Sequence, residues 1–187
     1  MEYYLKSSKQ YYEKNSDSRL KFIEKKEFLF LEISKFINNC INNSKEVFVF
    51  CAGNSIISSS IKSDKINIKE INKSYKNNHD DNITYKDDFE KKDIENCDHL
   101  IIADIEHQNN PALNLLKLSN SINDDARIII LSKNFFWMFI IKMLKFFFNF
   151  SPKQNNFLPS SYLSNLYSSC NLEIVRSEKI IALPIKI

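Results

Sequence analysis

The sequence predicts an α/β domain built on a mostly parallel sheet with helices on both faces, and three observations predict it. Short, continuously apolar runs rich in β-branched and aromatic residues recur at 46–52, 98–104 and 127–132, the pattern of strands buried on both faces. Between them lie segments with helical spacing or helix-start signals, and strands alternating with helices imply parallel crossovers. At the end, two strand-like runs, 172–176 and 179–183, are separated only by Ser177 and Glu178. A connection that tight implies an antiparallel hairpin at one side of the sheet.

The elements follow in order. Residues 19–41 carry Leu20, Ile23, Phe28, Leu31, Ile33, Phe36, Ile37 and Ile41 at roughly helical spacing among Lys and Glu, which reads as one long amphipathic helix. The run 46–52 reads as the first strand and ends at Gly53, the only glycine in the chain. After Asn54 and Ser55 a helix is expected through Ile56 and Ile57 towards Ile61, then a second strand at about 66–71. Residues 72–82 are polar and too few for a robust helix with two loops. Ile83, Thr84 and Tyr85 read as a short third strand, followed by Asp87 and Asp88. The run 98–104 is the fourth strand, closed by Asp104. Pro111 opens a helix to Ser119, because a first-turn proline gives up no helical hydrogen bond. A fifth strand at 127–132, a helix at 159–170 and the closing hairpin complete the reading.

At 187 residues and 22.0 kDa, with no internal repeat and no linker, the chain reads as a single domain, 1–187. Within it lie an N-terminal helical segment (1–44), a central half (45–132) and a closing part (133–187). Hydrophobic residues at 43% and charged residues at 26% exclude a disordered tail or a fibrous repeat. A net charge of +3 with no local basic cluster excludes nucleic acid as the partner. The four cysteines, Cys40, Cys51, Cys97 and Cys170, are widely spaced with no CxxC pair, which suits free thiols in a reducing cytosol. The first residues lack an apolar signal core, so the expected location is cytoplasmic. One Gly, four Pro and 23 Lys among the 26 basic residues point to an A/T-biased bacterial genome. The Asn runs and the Lys excess then carry less functional weight.

Ligands of open α/β sheets bind beyond the carboxyl ends of the strands. Here the first strand ends in Cys51, Ala52, Gly53, Asn54 and Ser55, the second carries Glu70, the third leads to Asp87 and Asp88, and the fourth ends at Asp104. Singly these are ordinary loop residues. Four successive strand ends bearing polar or acidic groups make a candidate site.

In this arrangement the chain resembles the small class I S-adenosylmethionine-dependent methyltransferases, especially the subset found near, or fused to, bacterial glycosyltransferases. Tyr11, Tyr12 and Lys14 are similar to the family's opening YYxK element, residues 47–55 to its first-strand motif, and 68–72 to its second strand with the acid. Residues 86–88 sit where the family has its third-strand acid, 98–104 resembles the fourth strand and 125–132 the fifth, while 159–175 resembles the last helix followed by the last two strands. The resemblance implies a Rossmann-like, mostly parallel seven-stranded sheet whose last strand is antiparallel. It further implies that the loop around Cys51, Gly53 and Ser55 meets the methionine part of S-adenosylmethionine. Glu70 would accept both ribose hydroxyls, Asp87 or Asp88 the adenine amino group, and Asp104, with Glu106 and His107, would face the sulfonium and a small-molecule or glycan-related acceptor.

Val49, Cys51, Gly53 and Ser55 stand where the family usually carries an acid and three alternating glycines. The alternative function is therefore a catalytically inactive binding or scaffold module on the same fold. A nicotinamide-binding unit fits less well, since it needs the same glycines and leaves the closing strand pair unexplained. His79, His99 and His107 lack metal-ligand spacing, and His99 reads as a satisfied core histidine within a strand. Residues 135–150, FFWMFIIKMLKFFFNF, are short for a bilayer span and contain Lys142 and Lys145. On a helix these lysines and Asn149 form a narrow polar stripe. The segment reads either as a helix buried against the sheet or a protein partner, or as one resting on a membrane surface.

Overall fold

Strand β1 (Glu46–Cys51) sets the two faces of the sheet. Val47 and Val49 point one way, Phe48 and Phe50 the other, and all four are buried. A strand with no wet face must lie inside the sheet, and β1 does. Parallel to it run β2 (Lys65–Glu70) on one side and β4 (His99–Ile102) on the other, with β3 (Ile83–Tyr85) and β5 (Arg127–Ile130) outside them. The order is β3-β2-β1-β4-β5, all parallel. The computed structural model describes residues 27–42, 44–51, 60–70, 83–85, 91–103, 105, 110–132, 139, 143 and 158–180.

Helix α1 (Glu27–Cys40) covers the Val47 face. Phe30, Ile37 and the following Ile41 form one stripe packed with Val47, Val49, Ile66, Ile101, Ile129 and Ile61. Ser34 falls on the same buried stripe, and its Oγ donates to the Phe30 carbonyl at 2.8 Å, so no hydroxyl is left dry. Asn38 ties the helix to the segment before β2: its Nδ2 donates to the Ser60 carbonyl and its Oδ1 accepts from the Lys62 amide, each at 2.8 Å.

Among the described residues three helices cover the Phe48 face: α2 (Lys91–Glu95), α3 (Pro111–Ser119) and α4 (Ser160–Ser169). Ile94, Leu115, Leu118, Leu163 and Leu166 pack there with Phe48, Phe50, Leu100 and Ile102. The rings of Phe48 and Phe50 lie 5.1 Å apart and tilted, a favourable aromatic contact. Helix α3 starts where the sequence predicts, because Asn110 Oδ1 accepts from the Leu113 amide at 3.0 Å and Pro111 takes the first turn. Helix α4 stops at Asn171, which adopts φ 55°. The Leu172 amide donates to the Tyr167 carbonyl and the Asn171 amide to that of Ser168, while Leu172 and Tyr167 both pack on the core, a complete Schellman stop with Asn in the left-handed position.

Several expectations are corrected. The described part of the first helix begins at Glu27, with 1–26 outside the described residues. Helix α2 had no counterpart in the sequence reading, since its five residues bury only Ile94. Residues 172–176, expected as a strand, are irregular as far as 180. This segment starts on the Phe48 face at Leu172, and by Arg176 it has reached α1, where the guanidinium lies 5.3 Å from the Phe36 ring centre. Val175 is 80% exposed, so the apolar pattern that suggested a strand is not matched by burial. The second expected strand, 179–183, lies mostly outside the described residues, and no antiparallel pair occurs among those described.

Candidate functional site

Strand order reverses between β1 and β4: successive strands step one way from β1 to β3 and the other way from β4 to β5. In open α/β sheets such a reversal marks the crevice at the carboxyl ends of the strands where ligands bind. The backbone brings the strand ends level. Cys51, the last residue of β1, is in register with Glu70, the last of β2, and Phe50 is in register with Ile102. Beyond the ladder the Ala103 amide donates to the Phe50 carbonyl at 3.1 Å, and the Leu131 amide to that of Ile102 at 2.9 Å.

Of the residues singled out in the sequence, Cys51 and Glu70 are therefore adjacent by backbone register. Gly53, Ser55, Asp87, Asp88, Asp104, Glu106 and His107 lie outside the described residues. Ala103 and Ile105, on either side of Asp104 in sequence, are both buried, Ile105 in the Phe48 cluster.

The opposite end of the sheet carries a polar network that sequence reasoning missed. Asp98, just ahead of β4, turns its carboxylate to β1: Oδ2 accepts from the amides of Lys45 and Glu46 at 2.8 and 3.0 Å, with the Ser44 hydroxyl at 3.4 Å. These hydrogen bonds, the Glu46 amide foremost, hold the Asp98 carboxyl below its ordinary range. Ser44 Oγ also lies 3.0 Å from His99 Nδ1, while His99 Nε2 is buried without a hydrogen-bond partner. Burial pushes the pKa of His99 down, and the charge of Arg127 adds to that effect.

Glu46 receives Lys65 Nζ at 2.8 Å and the Nδ2 of Asn67, a buried side chain in the middle of β2. A hollow of about 270 Å³ lies at this end, lined by Cys97, Asp98, His99, Asp125 and Arg127 among others. It sits at the amino ends of the strands, away from the crevice. The Cys97 thiol facing it is pushed up to about 12, chiefly by burial, so it is no nucleophile at neutral pH. Ser44 is buried and bonded to two partners, so the Asp98, Ser44 and His99 contacts staple β1 to β4. The signal that would have found them is an Asp directly preceding a buried strand.

Cys40, Cys97 and Cys170 are free thiols. Among the described residues no three His, Cys, Asp or Glu side chains converge as a metal site, and no helix is long and apolar enough to cross a membrane. No protein-family model matches the chain, and no curated protein matches it significantly.

Proposed function

We propose that the chain is a class I S-adenosylmethionine-dependent methyltransferase that moves a methyl group to a small-molecule or glycan-related acceptor. The reading is carried by the reversal of strand order beside β1, with Glu70 closing β2 in register with Cys51. An acid ending the strand next to the crevice suits a ribose, because two carboxylate oxygens accept from two vicinal hydroxyls. On this reading Cys51, Gly53 and Ser55 meet the methionine moiety, Asp87 and Asp88 the adenine, and Asp104 the acceptor side. The cofactor supplies the activated methyl group. The chain's own contribution is proximity and in-line alignment rather than a strong base.

One observation favours a second reading. Val49, at the position where such enzymes usually carry the acid of the methionine end, has no exposed surface and packs in the cluster of Ile61, Ile66 and Ile101. The residues thus suit the nucleoside end of the cofactor and not its methionine end, so no transfer step is derived through them. A catalytically inactive module that keeps the fold for binding is the form this would take.

Calorimetric titration with S-adenosylmethionine and with its demethylated product separates the two. Micromolar binding of both, weakened at least about tenfold in Glu70→Ala, is the result expected of the transferase, a loss of about 1.4 kcal/mol. Absence of binding at millimolar ligand overturns it in favour of the scaffold.

A further inference from the structure

Between Asp125 and Glu173 the chain carries no acidic residue, while Arg127, Lys133, Lys142, Lys145 and Lys153 fall in that stretch. The chain as a whole is nearly balanced, with 26 basic against 23 acidic residues, so this asymmetry is local. The basic residues are spread too thinly for a nucleic-acid cluster, yet no acid opposes them. The same stretch contains the only tryptophan, Trp137, and seven of the 15 phenylalanines fall within 135–150.

Phe139 and Met143 are both helical, and they are 62% and 49% exposed. Four residues apart, they share one helix face. A helix packed on its own sheet turns polar residues outward and apolar ones inward. On a continuous helix Lys142, Lys145 and Asn149 would form a stripe about a quarter turn away from Phe139 and Met143. Solvent thus meets two large apolar side chains in a stretch whose only charges are basic. Such a flank suits a helix lying in a bilayer surface, with its apolar face among the acyl chains and its lysines reaching the headgroups. Sixteen residues with two lysines are too few and too charged to span a bilayer.

We propose that residues 135–150 anchor the protein to an anionic membrane surface. The unopposed positive charge selects this occupant, since anionic headgroups attract each lysine near the surface and no carboxylate in the stretch repels them. The proposal is independent of methyl transfer.

Flotation of the full chain with phosphatidylcholine vesicles, with and without phosphatidylglycerol, tests it, and Trp137 is a built-in reporter. The expected result is flotation with the anionic vesicles only, a blue shift of Trp137 emission, and loss of both at high salt. Lys142→Gln and Lys145→Gln should each weaken partitioning about fivefold. The double change Phe139→Ser and Met143→Ser should abolish flotation and leave the thermal melt in place, because both side chains are already exposed. Absence of flotation with either vesicle, equal flotation with neutral vesicles, or a concentration-dependent dimer that the double variant disperses would each overturn it. If the double variant does not fold, the lysine variants and the wild-type Trp137 shift decide the matter.

Discussion

The two ends of this sheet are built from different chemistry. At the amino ends, Ser44, Glu46, Asn67 and Asp98 direct their side chains to neighbouring backbone and to one another, tying β1 to both β2 and β4. At the carboxyl ends, backbone register alone brings Cys51 and Glu70 level at the place where the strand order reverses. Asp98 and Glu70 are both acids at strand boundaries, and in sequence they look alike. Position along the strand separates them: an acid ahead of a strand can reach back to a neighbour's free amides, whereas an acid that ends one stands at the rim where ligands bind. The hollow of about 270 Å³ at the amino ends therefore says little about ligand binding at the other end.

The sharpest way to break this contrast is Val49→Asp. Val49 has no exposed surface, so a carboxylate there would be buried without a partner and should cost on the order of 4 kcal/mol or more, read as a collapsed urea midpoint. A variant with an unchanged midpoint and tighter cofactor binding would show instead that this position belongs to the rim.

Asp98→Ala should cost less, about 1 to 2 kcal/mol, because the amides of Lys45 and Glu46 can turn to water once the carboxylate is gone. Ligand binding at the far end should be unchanged, and a parallel loss of binding would join the two ends into one unit. The pH dependence follows from the two depressed pKa values. His99 starts from an ordinary value of 6.5 and Asp98 from 3.8, and both are lower in the folded state. Between the two values of each group the unfolded chain binds more protons, so stability falls with falling pH, first below about pH 6.5 and again below about 3.8. His99→Gln should remove the first step and keep the second, which acid-titrated thermal melts read directly.

The smallest effect is expected of Asn171→Gly. Glycine carries no penalty at φ 55°, so Asn171→Gly should raise stability by a few tenths of a kcal/mol. Asn171→Val should lower it by about 1 to 2 kcal/mol, a fall in Tm of roughly 2 to 8 °C for a chain of this size. Equal melts for the two variants would remove the left-handed stop from the account of α4.

Much of this architecture was legible because its signals are local. The runs at β1, β4 and β5 are apolar on both faces, which only an inner or covered parallel strand tolerates. β1 and β4 do pair in parallel. Asn110 with Pro111 marks a helix start whatever surrounds it. Helix α2 escaped notice because five residues with one buried side chain leave no period to read. The run 172–176 misleads because its β-branched residues suit a strand, while nothing local states whether a ladder partner lies alongside. Of the candidate site, the adjacency of Cys51 and Glu70 was readable as two strand ends, but their register was not.

By itself, then, the sequence determined the fold class and the parallel crossovers, because burial on both faces and helical spacing are written in consecutive residues. Tertiary structure alone decided the strand order, the level at which β1 and β2 end, and the use of Asp98, His99 and Asn67 as partners across strands. The physical reason is range. A hydrophobic pattern acts between neighbours a few residues apart, whereas Asp98 meets the Glu46 amide from 52 positions away. Only the closed sheet brings such groups within hydrogen-bonding distance.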